Sequence, residues 1–143
     1  FSLSPGPNCL APGRKPFHTL NPAMAIMNDG RIVSYGTMGG EGQPQTQAAI
    51  FSRYAFHGVD LQRSISAPRW LLGKTWGDDT TSLKLERSFD LDLVGKLSSA
   101  GHDTELVPAN NSLMGHAGAV VSHPDGRVEA ASDARSDGIA LAG

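Results

Sequence analysis

The plainest chemical promise lies in the loop Gly36-Thr37-Met38-Gly39-Gly40. It directly follows a run that predicts a strand and precedes a predicted helix, so backbone N–H groups in and after it can point outward with no side chain in the way. Such a loop can hold an anion. No Gly-Lys-Ser/Thr follows, so it is not a Walker phosphate loop, and its spacing does not match a dinucleotide fingerprint. On its own, a Gly-Gly pair after a strand is an ordinary tight turn, because glycine is the default residue where φ must be positive.

The other reactive side chains carry less. The hydroxyls of Thr19, Thr37 and Ser136 sit in Gly- and Pro-rich turns, where they cap or bond local backbone, and none reads as a nucleophile. His57, His102, His116 and His123 show no ligand spacing. With Cys9 as the single cysteine and no His-Glu-x-x-His, the sequence predicts no metal site and no cofactor. Asp133 and Arg135 straddle Ala134 and read as a structural ion pair that organises a turn, and Arg69 after Pro68 reads the same way. Trp70 and Trp76 read as packing anchors. Gly13-Arg14-Lys15 reads as a solvated basic turn from which Arg14 could reach an acid.

These residues must be positioned by short elements. Ser4 to Pro16 is dense in Pro and Gly without apolar periodicity, which predicts an extended loop lying on something else. Ala23 to Met27 and Arg31 to Tyr35 flank Asn28-Asp29-Gly30, a sequence that favours the positive φ of a tight hairpin turn. A second hairpin follows by the same logic, with Ala117 to Ser122 and Arg127 to Ala131 around Pro124-Asp125-Gly126. Between them, Pro44 in a first turn, Ala48, Phe51 and Ala55 at helical spacing and Gly58 as a cap predict an amphipathic helix, ended by His57. Asp60 caps a shorter helix with Leu61 and Ile65 on one face, stopped by Pro68. Asp90 or Asp92 begins a third that ends at Gly101. Leu83 to Leu85 and Thr104 to Val107 are short strands. This order suits an α+β layered fold better than a regular βαβ alternation.

The 143 residues, 39% apolar with 17 glycines and 9 prolines, fit one domain or a piece of one. A formal net charge of −2, with 12 basic residues scattered among 14 acidic ones, offers no stripe for nucleic acid and no polybasic face for a membrane surface. The longest apolar runs fall far short of the roughly 20 residues of a membrane helix. Nothing in the composition fixes the compartment. Phe1 is not an initiator methionine and the first residues do not form a signal peptide, so the true start is expected upstream.

Taken together and in order, Pro12-Gly13-Arg14-Lys15-Pro16, Thr19-Leu20-Asn21-Pro22, the first hairpin, the glycine loop, Ala67-Pro68-Arg69, Pro124-Asp125-Gly126 and Ser132-Asp133-Ala134-Arg135-Ser136 resemble the small-subunit part of the gamma-glutamyltransferase family. The resemblance runs from about Pro12 to Arg135. It implies an N-terminal-nucleophile hydrolase, an αββα sandwich of which residues 1–143 are the C-terminal part of the small, catalytic subunit. Such enzymes cut their own precursor to expose a threonine, whose hydroxyl attacks an amide carbonyl while its α-amino group serves as base. By the same resemblance Gly39 and Gly40 match the pair whose N–H groups form the oxyanion hole, where losing one donor costs about 3–4 kcal/mol of barrier.

Departures from the family pattern bear on substrate. His18-Thr19-Leu20 falls where many members carry two adjacent serines that bind the substrate's α-carboxylate. Thr19 keeps a hydroxyl there, while His18 offers a cation or a different hydrogen-bond pattern to a different acid. Glu41 stands where transpeptidases often have serine, and Gly40-Glu41-Gly42-Gln43-Pro44-Gln45 resembles a branch that includes oxamate amidohydrolase-like proteins. The substrate is therefore a gamma-glutamyl compound, an oxamate-like amide or another small acid amide. The expected partners are the large subunit and the nucleophile segment of the same precursor. Since family members carry their nucleophile ahead of the position matched by Phe1, the chain alone is expected to be inactive. The alternative is a non-catalytic remnant or binding module that holds a small acid.

Overall fold

The computed structural model describes residues 2–15, 18–75 and 79–141; Phe1, Pro16 and Trp76, among the residues discussed above, lie outside them. The elements run β1 (Ala23–Ile26), β2 (Ile32–Met38), α1 (Gln43–His57), α2 (Leu61–Ser66), β3 (Trp70–Leu72), β4 (Leu83–Glu86), α3 (Leu91–Ser99), β5 (Thr104–Val107), β6 (His116–Ser122) and β7 (Val128–Ser132). Residues 4–15 contain no helix or strand, as their composition predicts.

β1, β2, β6 and β7 form an antiparallel sheet in that order. The two hairpins share one turn design: Gly30 and Gly126 each take a φ of 86°, and Asp29 and Asp125 each accept the N–H two residues on, from Arg31 and Arg127. Of Asn28-Asp29-Gly30 only the glycine adopts positive φ. The register aligns Ala25 with Val33, Val33 with Val121, and Ala119 with Ala131. Period-2 alternation puts these small and branched residues on one face, where they pack with Ile50, Tyr54, Leu61 and Ile65 of α1 and α2.

The opposite face of the sheet is open. Met24, Ile26, Ile32, Val120 and Val128 lie on it, with Ile26 78% and Met24 70% exposed. One helical layer on one sheet is half of a four-layer αββα sandwich, and the apolar outer face has the chemistry of a surface meant to be covered. A smaller sheet orders β3-β4-β5, with β3/β4 antiparallel and β4/β5 parallel. It is tied to α1 by the Gln45 amide, which donates to Leu72 O at 3.0 Å and accepts from Leu72 N at 2.8 Å.

Local signals set the helix ends as expected. Pro44 lies in the first turn of α1, and Gly58 closes the helix at φ 64°. The Asp60 side chain accepts the Arg63 N–H at the start of α2, and Asp90 caps α3. The buried face of α1 differs from the expected one. Thr46, Gln47, Ile50 and Tyr54 are buried, while Ala48 is exposed and Phe51 and Ala55 only half-buried. The reason is that Thr46 and Gln47 find acceptors inside, at Met114 O (2.9 Å) and Asn21 O (2.6 Å). Trp70 is not the anchor expected either: it stands 37% exposed on β3, while its neighbour Leu71 supplies the buried contact. Strand alternation sends Trp70 and Leu71 to opposite faces.

Candidate functional site

The glycine loop forms where β2 runs out. Met38 ends the strand, Gly39 takes φ 140° and Gly40 φ 52°, and a single 3-10 turn over Gly40–Gly42 leads into α1. Both angles lie where a side chain is strained. The turn closes by Gly42 N–H donating to Gly39 O at 2.9 Å and by Gln43 N–H donating to Gly40 O. As the first residue of that turn, Gly40 has an N–H without an intrahelical acceptor.

A third glycine makes this shape possible. A Cβ at Gly39 would stand 3.3 Å from Gly115 Cα, and one at Gly115 (φ 80°) would stand 2.4 Å from Met38 O and 2.5 Å from Thr37 Oγ1. No side chain fits at residue 115 while β2 and the loop stay where they are. The Thr75 hydroxyl adds a bond to Gly39 O at 3.3 Å. The loop is thus gripped from beneath by Gly115 and from the side by Thr75.

Above it opens a cleft of about 710 Å³, lined by Thr19, Leu20, residues 36–41, Gln43 and His116. An adjoining cleft is lined by His18 and shares Leu20, Gly36 and Thr37 with the first. The fold therefore brings Gly39, Gly40 and Thr19 to one cavity and His18 to its neighbour. The remaining sequence candidates are occupied elsewhere. Thr37 Oγ1 donates to Met38 O at 2.6 Å and Ser136 Oγ to Asp133 O at 3.2 Å, the local roles expected of them. Arg14 donates to the carbonyls of Gly6, Pro7 and Cys9 and is spent on its own loop. Among the described residues no three His, Cys, Asp or Glu side chains gather as a metal set.

Behind the loop lies a buried cluster of charges. Arg69, Glu86, Asp133 and Arg135 are 0%, 0%, 1% and 7% exposed. Asp133 pairs with Arg69 and, at 3.0 Å, with Arg135, which also pairs with Glu86. Asp133 further accepts the Ala117 N–H at 2.7 Å, and Glu86 accepts the N–H groups of Arg69 (2.8 Å) and Asn111 (3.0 Å). Burial opposes ionisation of Asp133, but the Ala117 and Arg135 N–H groups and the Arg69 guanidinium outweigh it and hold the carboxyl below its ordinary range. The expected Asp133–Arg135 pair is present, as half of a neutral four-member network. Its link to the loop is Arg69, which donates to Met114 O at 3.0 Å and Gly115 O at 3.1 Å.

Glu86, Gly115, Thr75 and Gln43 were not legible as site or support residues, and His116 was weighed only as a metal ligand. Their roles come from long-range neighbours such as β6 against β2. The one sequence signal that pointed near them is the glycine loop itself.

Comparison with known proteins identifies the family and the fold. The family model described as gamma-glutamyltranspeptidase matches residues 1–143. Over 141 residues the chain is 57% identical to the oxamate amidohydrolase proenzyme of Klebsiella pneumoniae, covering 98% of this chain and 27% of that protein. It is 42% identical to the glutathione hydrolase-like YwrD proenzyme of Bacillus subtilis, covering 94% of this chain and 26% of that one. The chain thus spans about a quarter of the length of these curated relatives. Among solved structures, the Bacillus anthracis transpeptidase CapD superposes with a TM-score of 0.73 at 20% identity over 92% of this chain and 75% of its own. The gamma-glutamyltranspeptidase of Pseudomonas nitroreducens gives 0.71 at 17% identity over 97% of this chain and 69% of its own. Those two show the shared N-terminal-nucleophile hydrolase fold. With a family match over its whole length, this chain belongs to the gamma-glutamyltranspeptidase family.

Proposed function

We propose that residues 1–143 are the C-terminal part of the small subunit of an amide hydrolase or acyltransferase, and that they supply its oxyanion hole and its acid-binding loop. The nucleophile is the N-terminal threonine of an upstream segment of the same precursor. Its hydroxyl attacks the amide carbonyl, and the acyl group then passes to water or to an amine. Each of the two tetrahedral intermediates carries a negative oxygen, which the Gly39 and Gly40 N–H groups receive. Thr19, with His18 beside it, binds the acid end of the substrate.

The observation that carries this reading is the pairing of two positive-φ glycines, braced by Gly115, with Thr19 on one cleft. Donors fixed in place before reaction cost no reorganisation when charge develops. The open apolar face of the sheet supports the partner assignment, since the upstream segment and large subunit would cover it. Similarity to a protein named oxamate amidohydrolase proenzyme, together with His18 and Glu41, favours hydrolysis of a small acid amide over gamma-glutamyl transfer.

The test uses the full precursor, matured and folded. Gly39→Val and Gly40→Val are expected to lower kcat by about 100- to 1000-fold with little change in KM. Full turnover in a normally folded variant would remove the oxyanion assignment. Substrate is decided by comparing gamma-glutamyl anilides with oxamate, with and without an acceptor dipeptide. A strong rise in rate with the acceptor would reverse the preference for hydrolysis.

A further inference from the structure

The cleft beside the glycine pair is unevenly charged. Of the residues that line it, Glu41 brings the one carboxylate, and neither Lys nor Arg is among them. Glu41 is exposed, follows Gly40 directly and lies in the 3-10 turn that leads into α1. Among the described residues no Lys, Arg or His forms an ion pair with it. Its negative charge is therefore met by solvent and by whatever enters the cleft.

That charge stands at one end of the site. The adjoining cleft, lined by His18, meets β2 at Gly36 and Thr37, and Pro22 Cα lies 3.9 Å from where a Gly36 Cβ would be. A strand advances about 3.3 Å per residue, so Gly36 precedes Gly39 by about 10 Å. Glu41 comes after the glycine pair, on the side away from His18. The three substituents of an amide carbonyl carbon lie in one plane and point apart. With the acid end of the acyl group at Thr19 and His18, and the oxygen at Gly39 and Gly40, the nitrogen is directed away from His18, towards Glu41. No contact is required for Glu41 to act there, since a charge is felt over about 8 Å at physiological salt.

We propose that Glu41 is a specificity-determining residue that screens the nitrogen side of the scissile amide by charge. The class it admits is an amide whose nitrogen carries no carboxylate, so that ammonia or an amine without an acid group is the leaving group or acceptor. A carboxylate on that side meets Glu41 as a like charge, and such juxtaposition is how a site rejects a wrong partner. The departing nitrogen takes up a proton, and positive charge formed there is favoured by the same carboxylate. Amino acids and peptides bring a carboxylate to this side and are disfavoured. The inference rests on the amide hydrolase reading above and on its placement of the acid end.

The test is made on the matured full-length enzyme with two conjugates of one acyl group, oxalyl or gamma-glutamyl, whichever is hydrolysed faster. These are its amides with ethylamine and with glycine, which differ in charge on the nitrogen side. A conjugate too slow to follow is read as a competitor of oxamate or glutamine hydrolysis, by the same ratio. The wild type is expected to favour the ethylamide by at least about five-fold in kcat/KM, and raising salt from about 50 mM to about 500 mM to narrow that gap. Glu41→Gln is expected to raise the glycine-to-ethylamide ratio by about five-fold, and Glu41→Asp, which keeps the charge, to leave it near wild type. The ratio compares one acyl group in one preparation, so neither partial maturation nor the lost acid in a first helical turn moves it. A ratio within about two-fold of wild type in Glu41→Gln, an equal rise in Glu41→Asp, or a wild-type gap that salt does not narrow overturns this proposal alone. If the wild type hydrolyses neither conjugate and neither oxamate nor glutamine, the amide hydrolase reading falls and takes this inference with it.

Discussion

In the cluster of Arg69, Glu86, Asp133 and Arg135 both carboxylates are saturated with donors and Arg69 Nε is left without a partner, whereas the residues that line the cleft beside Gly39 form no such network and two of their buried atoms, Gln43 Oε1 and His116 Nε2, have no partner. The two regions are joined through the carbonyls of Met114 and Gly115, which accept from Arg69 on one side while Gly115 supports the loop on the other. The contrast separates two uses of buried polarity. A closed network fixes backbone in place. The glycine loop held by that backbone sets Gly39 and Gly40, both at positive φ, on the wall of the cleft.

The largest expected effect comes from opening the closed side. Arg69→Ala leaves Asp133 with Arg135 as its remaining guanidinium partner and removes the Arg69 donor from the Met114 and Gly115 carbonyls. Breaking a buried pair on one side costs about 3–5 kcal/mol. Chemical denaturation of the matured enzyme should show that loss, and a change below about 1 kcal/mol would mean the network is not what secures this region.

A smaller perturbation at the junction separates stability from turnover. In Gly115→Ala the added methyl meets Met38 O at 2.4 Å and Thr37 Oγ1 at 2.5 Å, so β2 and the loop must part. Turnover should fall by about 100-fold, as for a displaced oxyanion donor, with a stability loss well under that of Arg69→Ala. If stability falls as far as in Arg69→Ala while kcat holds, Gly115 serves the core and not the cleft.

How much of this the sequence announced depends on how local each signal is. Asn28-Asp29-Gly30 and Pro124-Asp125-Gly126 specified their hairpins because the turn chemistry lies within the segment. Asp60 specified its cap for the same reason. Which face α1 buries was not legible, because Thr46 and Gln47 go inside only once Met114 and Asn21 offer carbonyls from far along the chain. β3 was missed since Pro68 announces the end of a helix and not the start of a strand. The glycine loop was found as a loop, but its strain and its bracing are properties of β6 lying against β2, and nothing near Gly115 in sequence signals that it touches Gly39.

The closed side also sets an acid limit. The Asp133 carboxyl lies below its ordinary value of 3.8 in the folded state. Its contribution to stability is therefore complete above 3.8 and is lost as pH falls below that, through the lower folded value, because the unfolded chain takes up the proton first. Denaturation midpoints measured from pH 6 down to about pH 3 should decline for the wild type, and Asp133→Asn should lower stability at neutral pH while flattening that decline. An unchanged slope in the variant would assign the acid sensitivity to other carboxylates.

The smallest expected effect tests whether the loop's lateral support matters to chemistry. Thr75→Val keeps the shape of a side chain that is 7% exposed and removes only its bond to Gly39 O. A single neutral hydrogen bond contributes about 1 kcal/mol, so either stability or turnover can register its loss, but not both in full. If the bond chiefly holds the fold, the denaturation midpoint drops and kcat stays. If it aims the Gly39–Gly40 peptide, kcat falls by about five-fold at nearly constant KM while stability barely moves. The second outcome is expected, because Gly115 and the 3-10 turn already hold the loop in place, leaving Thr75 to set the tilt of one peptide plane and hence the direction of the Gly40 N–H.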